Sequence, residues 1–241
     1  VWYANAQELK QHFHCILLDL PGSGESSRGE YPYHLDFFSN TLVQFIKELK
    51  LREVTWVGHS MGGQIAMTLL LNAPEAHYQL ILCAPAGFEQ FNVFEKTMYR
   101  SLIGWADMFS TDESNLRNSV YNSFYNNPSQ ADAMLDEMVQ ILKSYPASTY
   151  KKMMDASIQG MMNEPVYERL SEIKAKTLVV FGELDALIPN KLLHPISTDQ
   201  LARMAVAKMP NAVLKMIPFA GHFVQWEKAD KVNDAIDDFL K

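Results

Sequence analysis

No stretch of this 241-residue sequence approaches the roughly 18 consecutive apolar residues that a helix needs to span a bilayer. Residues 1–10 hold no basic stretch leading into an apolar one, so no secretory leader is visible there. Basic residues are in the minority, 21 Lys and Arg against 28 Asp and Glu, for a net charge of −7 and a pI of about 5.5. That balance argues against nucleic acid as a partner, because a polyanion needs a basic surface. Cysteine is scarce. The two present, Cys15 and Cys83, both lie in apolar runs and read as buried free thiols, not as a disulfide or a metal site. A reducing cytoplasm is the expected compartment, with no membrane and no metal or other cofactor. What the chain has is apolar content, 48%, enough for a real core in one domain or in one domain carrying an insertion.

The front of the chain alternates strand and helix. Residues 14–20 are an apolar run closed by Pro21-Gly22 and predict a buried strand. Residues 33–49 place Leu35, Phe38, Leu42, Phe45, Ile46 and Leu49 on one helical face. Residues 54–57 and 80–83 read as further strands, with a helix between them ending near Asn72, before Pro74. From about residue 88 to 165 no strand is evident, and eight of the 13 methionines fall there. The βα rhythm returns with strands at 177–181 and 213–217 and helices at 199–208 and 227–240. This pattern predicts an α/β fold with a mostly parallel sheet flanked by helices. The core comprises 1–87 and 166–241, and 88–165 is a helical cap insertion.

Gly58-His59-Ser60-Met61-Gly62 fits G-x-S-x-G, directly after a strand and directly before a helix. A serine on such a strained turn needs small neighbours, and Gly58 and Gly62 are expected to provide the room. The helix start directs N–H groups and the positive dipole end at a reacting oxygen, with the Met61 N–H as an oxyanion donor. A serine hydroxyl needs a base to attack. His222 follows the last strand, at the edge of a parallel sheet where Ser60 also emerges. His12, His14, His34, His77 and His194 read as solvent-facing or structural. The base needs a carboxylate, and Asp185, just past the strand at 177–181, is the first choice; Glu89 and Glu183 are weaker candidates. The order Ser, Asp, His is the one expected for such a site.

Residues Asp19 to Ser26, D-x-P-G-x-G-x-S, together with the Ser60 turn, the G-x-x-D-x-x-I-P stretch around Asp185 and Gly221-His222, resemble the α/β-hydrolase superfamily. The likeness runs over essentially the whole length. It implies that Ser60 attacks a carbonyl, His222 moves the proton and Asp185 orients His222, with 88–165 as a lid. A small-molecule substrate would meet His59, Phe109, Phe124, Tyr125, Met161 and Phe223. The resemblance implies a carboxylic-ester hydrolase acting on a small or medium apolar substrate. A carbon–carbon bond hydrolase of ring-cleavage products is the alternative, since residues 222–230 are similar to the matching stretch there. Those enzymes usually carry Trp where Phe223 stands and Asn where His59 stands. Dehalogenases and epoxide hydrolases use an aspartate where Ser60 stands. A reading from another class is a non-catalytic receptor that keeps the same pocket. One departure carries an expectation of its own. No segment matches the family's strand ending in His-Gly, which lies between the strands at 14–20 and 54–57 and supplies the second oxyanion N–H. An upstream segment of roughly 25–40 residues is therefore expected.

Overall fold

The computed structural model describes all residues except 74–78, 103–111, 129–130 and 145. Four strands, β1 (Thr55–His59), β2 (Gln79–Cys83), β3 (Thr177–Gly182) and β4 (Ala212–Ile217), form one sheet in the order β1-β2-β3-β4, parallel throughout. Alternation along the strands feeds two cores, because successive side chains leave opposite faces. Leu80, Leu82, Val179 and Phe181 face α2 (Leu35–Leu49) and α3 (Met61–Asn72). Ile81, Cys83, Leu178 and Val180 face the C-terminal helix, with Val232, Ile236 and Phe239, and the first helix α1 (Tyr3–Leu9) packs on that same helix.

Capping explains where several helices begin and end. His34 stands at the N-cap of α2 and its Nδ1 accepts the Phe37 N–H at 3.1 Å, so the histidine has a structural role. Lys50 turns left-handed and stops the helix. The segment between β2 and β3 holds α4 (Val93–Leu102), α5 (Glu113–Ser123), α6 (Ala131–Lys143) and α7 (Ala147–Asn163), with no strand among its described residues. Leu116, Val120, Leu135, Val139 and Leu142 give it a core of its own. After β3 come α8 (Thr198–Val206), then β4, α9 (Val224–Glu227) and α10 (Ala229–Leu240). The helix expected over 227–240 is α10, which starts at Ala229; Lys228 (φ −131°, ψ 52°) separates it from the short helix α9. No helix among the described residues is long and apolar enough to cross a membrane.

One expected strand is absent. Residues 14–20 form no strand and pair with none of the described residues, and Ile16, Leu17 and Leu18 are exposed. An apolar run becomes a strand only when a neighbour completes its ladder, and none of the described residues lies alongside. This segment and β1 face each other across an open groove of about 410 Å³ lined by Leu9, Phe13, Ile16, Leu18, Ile46 and Trp56. Among the described residues no strand pairs with the outer edge of β1, and Val57 is exposed on it. Cys15, expected in that strand, is a half-buried free thiol in coil. Cys83 is buried in β2, and burial pushes its pKa up to about 12.

Candidate active site

The turn between β1 and α3 is strained at one residue. Ser60 has φ 52° and ψ −121°, a conformation costing on the order of 1–3 kcal/mol for a non-glycine residue. Its surroundings hold it there. The Ser60 N–H donates to Cys83 O at 3.1 Å, and Ser60 O accepts from Gly63 N at 2.9 Å, Gln64 N at 3.3 Å and Ala86 N at 3.0 Å. Thus β2 and the loop after it clamp the turn from one side and the first turn of α3 from the other. Met61 opens α3, so its N–H belongs to the helix start, where backbone donors lack intrahelical partners.

The glycines around Ser60 are unequal. A Cβ on Gly58 would lie 2.5 Å from Gly62 O and 2.7 Å from Gly63 Cα, both backbone atoms. Among the described residues nothing lies within 4 Å of where a Cβ on Gly62 would go, so the expectation that it supplies room is corrected: the crowding falls on Gly58. Gly58→Ala is expected to destabilise by about 1–3 kcal/mol or more, as overpacking against backbone does. Gly62→Ala is expected to stay within about 1 kcal/mol of the parent, with helix propensity in its favour. Denaturant unfolding of the two variants checks this, and equal losses would contradict it.

At the same edge of the sheet, His222 and Asp185 are 3% and 2% exposed. Nδ1 of His222 meets Oδ2 of Asp185 at 2.9 Å. The other oxygen, Oδ1, accepts the N–H groups of Leu187 at 2.8 Å and Ile188 at 3.0 Å. A buried carboxylate is costly unless its lone pairs are filled, and here three donors fill them. They also fix the direction of the oxygen facing His222.

His59 lies beside this pair. Its ring stands 4.8 Å from the His222 ring and 5.0 Å from that of Phe223, and its Nε2 is 3.0 Å from His222 O. Burial, and next the neighbouring His222, hold its pKa well below the usual histidine value. The ring is therefore neutral, and Nε2 carries the proton that it donates to the carbonyl.

Other expected site residues are placed differently from one another. Phe124 is buried between Phe223 and Trp226, with ring centroids 5.2 and 5.1 Å away. Tyr125 is 46% exposed and faces Phe219. Met161 is buried beside a small cavity of about 30 Å³ shared with Gln64, Ala86, Leu187 and Ile188. Phe109 lies outside the described residues. Of the alternative acids, Glu183 is exposed. Glu89 bonds elsewhere: its Oε1 accepts the Asn190 N–H at 2.8 Å and meets His194 Nδ1 at 2.5 Å. Burial raises the Glu89 pKa, with His194 and Asn190 opposing the rise.

Sequence reasoning missed one residue. Glu227, read only as part of a similar stretch, accepts three backbone N–H groups next to His222. A carboxylate five positions after a histidine carries no signal of this in isolation.

The model of the alpha/beta hydrolase fold family matches residues 1–229. A 2-hydroxy-6-oxononadienedioate/2-hydroxy-6-oxononatrienedioate hydrolase of Comamonas testosteroni is 27% identical, over 96% of this chain and 78% of the relative. A 2-hydroxy-6-oxo-6-phenylhexa-2,4-dienoate hydrolase of Burkholderia cepacia is 27% identical, over 95% and 77%. Among solved structures, an esterase from Exiguobacterium antarcticum superposes with a TM-score of 0.81 at 20% identity, covering 99% of this chain and 86% of that one. A meta-cleavage product hydrolase from Pseudomonas fluorescens gives 0.72 at 20% identity, covering 99% and 84%.

Proposed function

The chain belongs to the α/β-hydrolase family, and from that premise we propose that it hydrolyses the carboxylic ester of a small or medium apolar substrate, with Ser60 as nucleophile, His222 as base and Asp185 as acid. The observation that carries this reading is the buried 2.9 Å contact between His222 Nδ1 and Asp185 Oδ2 at the sheet edge where the strained Ser60 turn also lies. A carboxylate bound at Nδ1 fixes the imidazole tautomer, leaving Nε2 to accept a proton.

The chemistry then follows from the residue types. Ser60 Oγ attacks the ester carbonyl carbon while His222 Nε2 takes its proton, and Asp185 stabilises the imidazolium. The oxygen that becomes negative is stabilised at the start of α3 by the Met61 N–H. The imidazolium returns its proton to the departing alkoxide, and the acyl group remains on Ser60. Water, deprotonated by His222, then releases the carboxylic acid and restores the serine. No cofactor is required. In this reading residues 88–165 are the cap, and Phe124, Met161 and Phe223 form apolar walls; methionine and aromatic side chains suit an adaptable pocket.

A second reading, cleavage of a carbon–carbon bond, is favoured by the names of the two relatives at 27% identity. The same three residues would serve, with a ketone carbonyl attacked or hydrated and a stabilised carbanion leaving as the enol. A panel of p-nitrophenyl esters of increasing acyl length, set beside a 2-hydroxy-6-oxodienoate, separates the two. Turnover of the esters at least about a hundredfold faster in kcat/KM than the dienoate, some 2.7 kcal/mol of transition-state preference, is the expected result. The reverse preference would replace ester hydrolysis by carbon–carbon cleavage. No turnover of either, with no reaction of Ser60 with a fluorophosphonate, would leave a non-catalytic receptor.

A further inference from the structure

The loop carrying His222 is fastened to the helical segment between β2 and β3 as well as to the sheet. The His222 N–H donates to Ser123 O, the last residue of α5, at 2.8 Å. One carboxylate completes the junction. Glu227 Oε2 accepts the N–H groups of Gly221 at 2.9 Å and Tyr125 at 3.1 Å, and Oε1 accepts that of Asn126 at 2.7 Å. Glu227 thus ties the residue preceding His222 to two residues just beyond α5. The two backbones approach closely because residue 221 is glycine. A Cβ there would lie 2.5 Å from Ser123 O and 2.8 Å from Tyr125 N. Phe124, between these contacts, is buried against Phe223 and Trp226, and both it and Trp226 belong to the helical segment's own core.

We infer that Glu227 is a positioning residue: its carboxylate locks the His222 loop to the 123–126 turn and so holds the base in register with Ser60. This rests on the reading of His222 as the base. The chemistry of the junction explains why a carboxylate stands there. Three N–H donors converge on two oxygens, and an ionised carboxylate is an acceptor at every lone pair. A glutamine in the same place offers one oxygen and an NH2 that must face a donor. At least one bond is then lost and one donor opposes another. Asp185 and the His59 and Phe223 rings hold the His222 side chain, but none of them fixes the loop at Gly221, and a displacement of about 1 Å at a reacting group costs on the order of a hundredfold in rate.

The test compares the wild-type protein with Glu227→Gln and Asn126→Pro. The proline removes the N–H that makes the shortest of the three bonds and leaves the carboxylate intact. The rate of Ser60 modification by a small fluorophosphonate reports activation of the serine without dependence on pocket fit. Kinetics on a p-nitrophenyl ester and the unfolding midpoint are measured alongside. Expected for Glu227→Gln is a roughly tenfold to hundredfold fall in both the labelling rate and kcat, with KM within about twofold. Asn126→Pro should lower both rates several-fold in the same proportion. A carboxylate that only stabilises the junction would shift the unfolding midpoint and leave labelling of the folded protein at the wild-type rate, which overturns the inference. If Glu227→Gln fails to fold, Asn126→Pro decides in the same way. An unlabelled Ser60 in the wild type is a different failure: it removes the serine-hydrolase reading, and this inference with it.

Discussion

Replacing Asp185 with asparagine should lower kcat about ten-thousandfold in a protein that still folds. The expectation follows from how the carboxylate is held. Oδ1 is bound by the N–H groups of Leu187 and Ile188, so an asparagine keeps its carbonyl oxygen there. Its NH2 then faces Nδ1 of His222, where Oδ2 stood at 2.9 Å. A donor at that position forces the ring to present a lone pair at Nδ1 and to carry its proton on Nε2. That tautomer cannot accept the serine proton, and a loss of about 10⁴ in kcat is the usual consequence. Glu89→Gln is the control. Its Oε1 is engaged by Asn190 and His194, far in chemistry from His222, so kcat should stay within about threefold. Circular dichroism confirms folding and steady-state kinetics read the ratio. A damaging Glu89→Gln beside a benign Asp185→Asn would move the acid to the loop after β2.

Ser60→Ala should be more severe still. The nucleophile and its base act as a unit, so deleting Oγ should remove roughly a millionfold of turnover, leaving ~10³-fold over the uncatalysed reaction from binding and the remaining oxyanion contact. Alanine at φ 52° keeps the backbone strain of the turn, and every hydrogen bond that clamps residue 60 uses its backbone N–H or carbonyl. Stability should therefore barely change, which separates loss of chemistry from loss of fold. Labelling by a fluorophosphonate should vanish with turnover. Wild-type rates in a folded Ser60→Ala protein would mean that another group carries the reaction.

The parts of this architecture that could be read from the sequence are those whose signal is local. The Ser60 turn is one residue between a strand ending at His59 and a helix starting at Met61, and β1 and α3 flank it as expected. Asp185 and His222 each follow a strand of a parallel sheet, and such strands end at one edge, so their meeting follows from topology before any distance is known. Helix α2 announced itself by steps of three and four; of the six residues expected on its face, Leu35, Phe38, Leu42 and Ile46 are buried, Phe45 is half-buried and Leu49 is exposed.

What could not be read depends on partners remote in sequence. The apolar run at 14–20 has the composition of a strand, but pairing is a property of two segments; no segment of this sequence was expected between it and β1, a groove lies there, and the composition alone still read as a strand. The crowding at Gly58 rather than Gly62 depends on how tightly α3 folds back over the turn, which letters alone do not convey. The resemblance put His59 near a substrate; that its ring also donates to His222 O, an acceptor 163 residues away in the chain, had no local signal. Glu227 was silent for the same reason: its three partners are backbone groups, which every residue possesses.

The junction at residues 123–126 also bears on how such an enzyme can change. The helical segment leaves the sheet after β2 and returns before β3, and near its return it is also tied to α3, where Gln64 Nε2 donates to the carbonyls of Met161 and Glu164. Its freedom is not uniform. Residues facing outward on α4 and α6 are open to substitution, while the turn beyond α5 is tied by backbone bonds to the residues around His222. New specificities would then be reached most readily through the helices on either side of that turn, with the turn itself acting as a fixed pivot. A foreign helical segment grafted onto this sheet would need a backbone turn of the same shape to meet Glu227 and carbonyls placed to accept from Gln64.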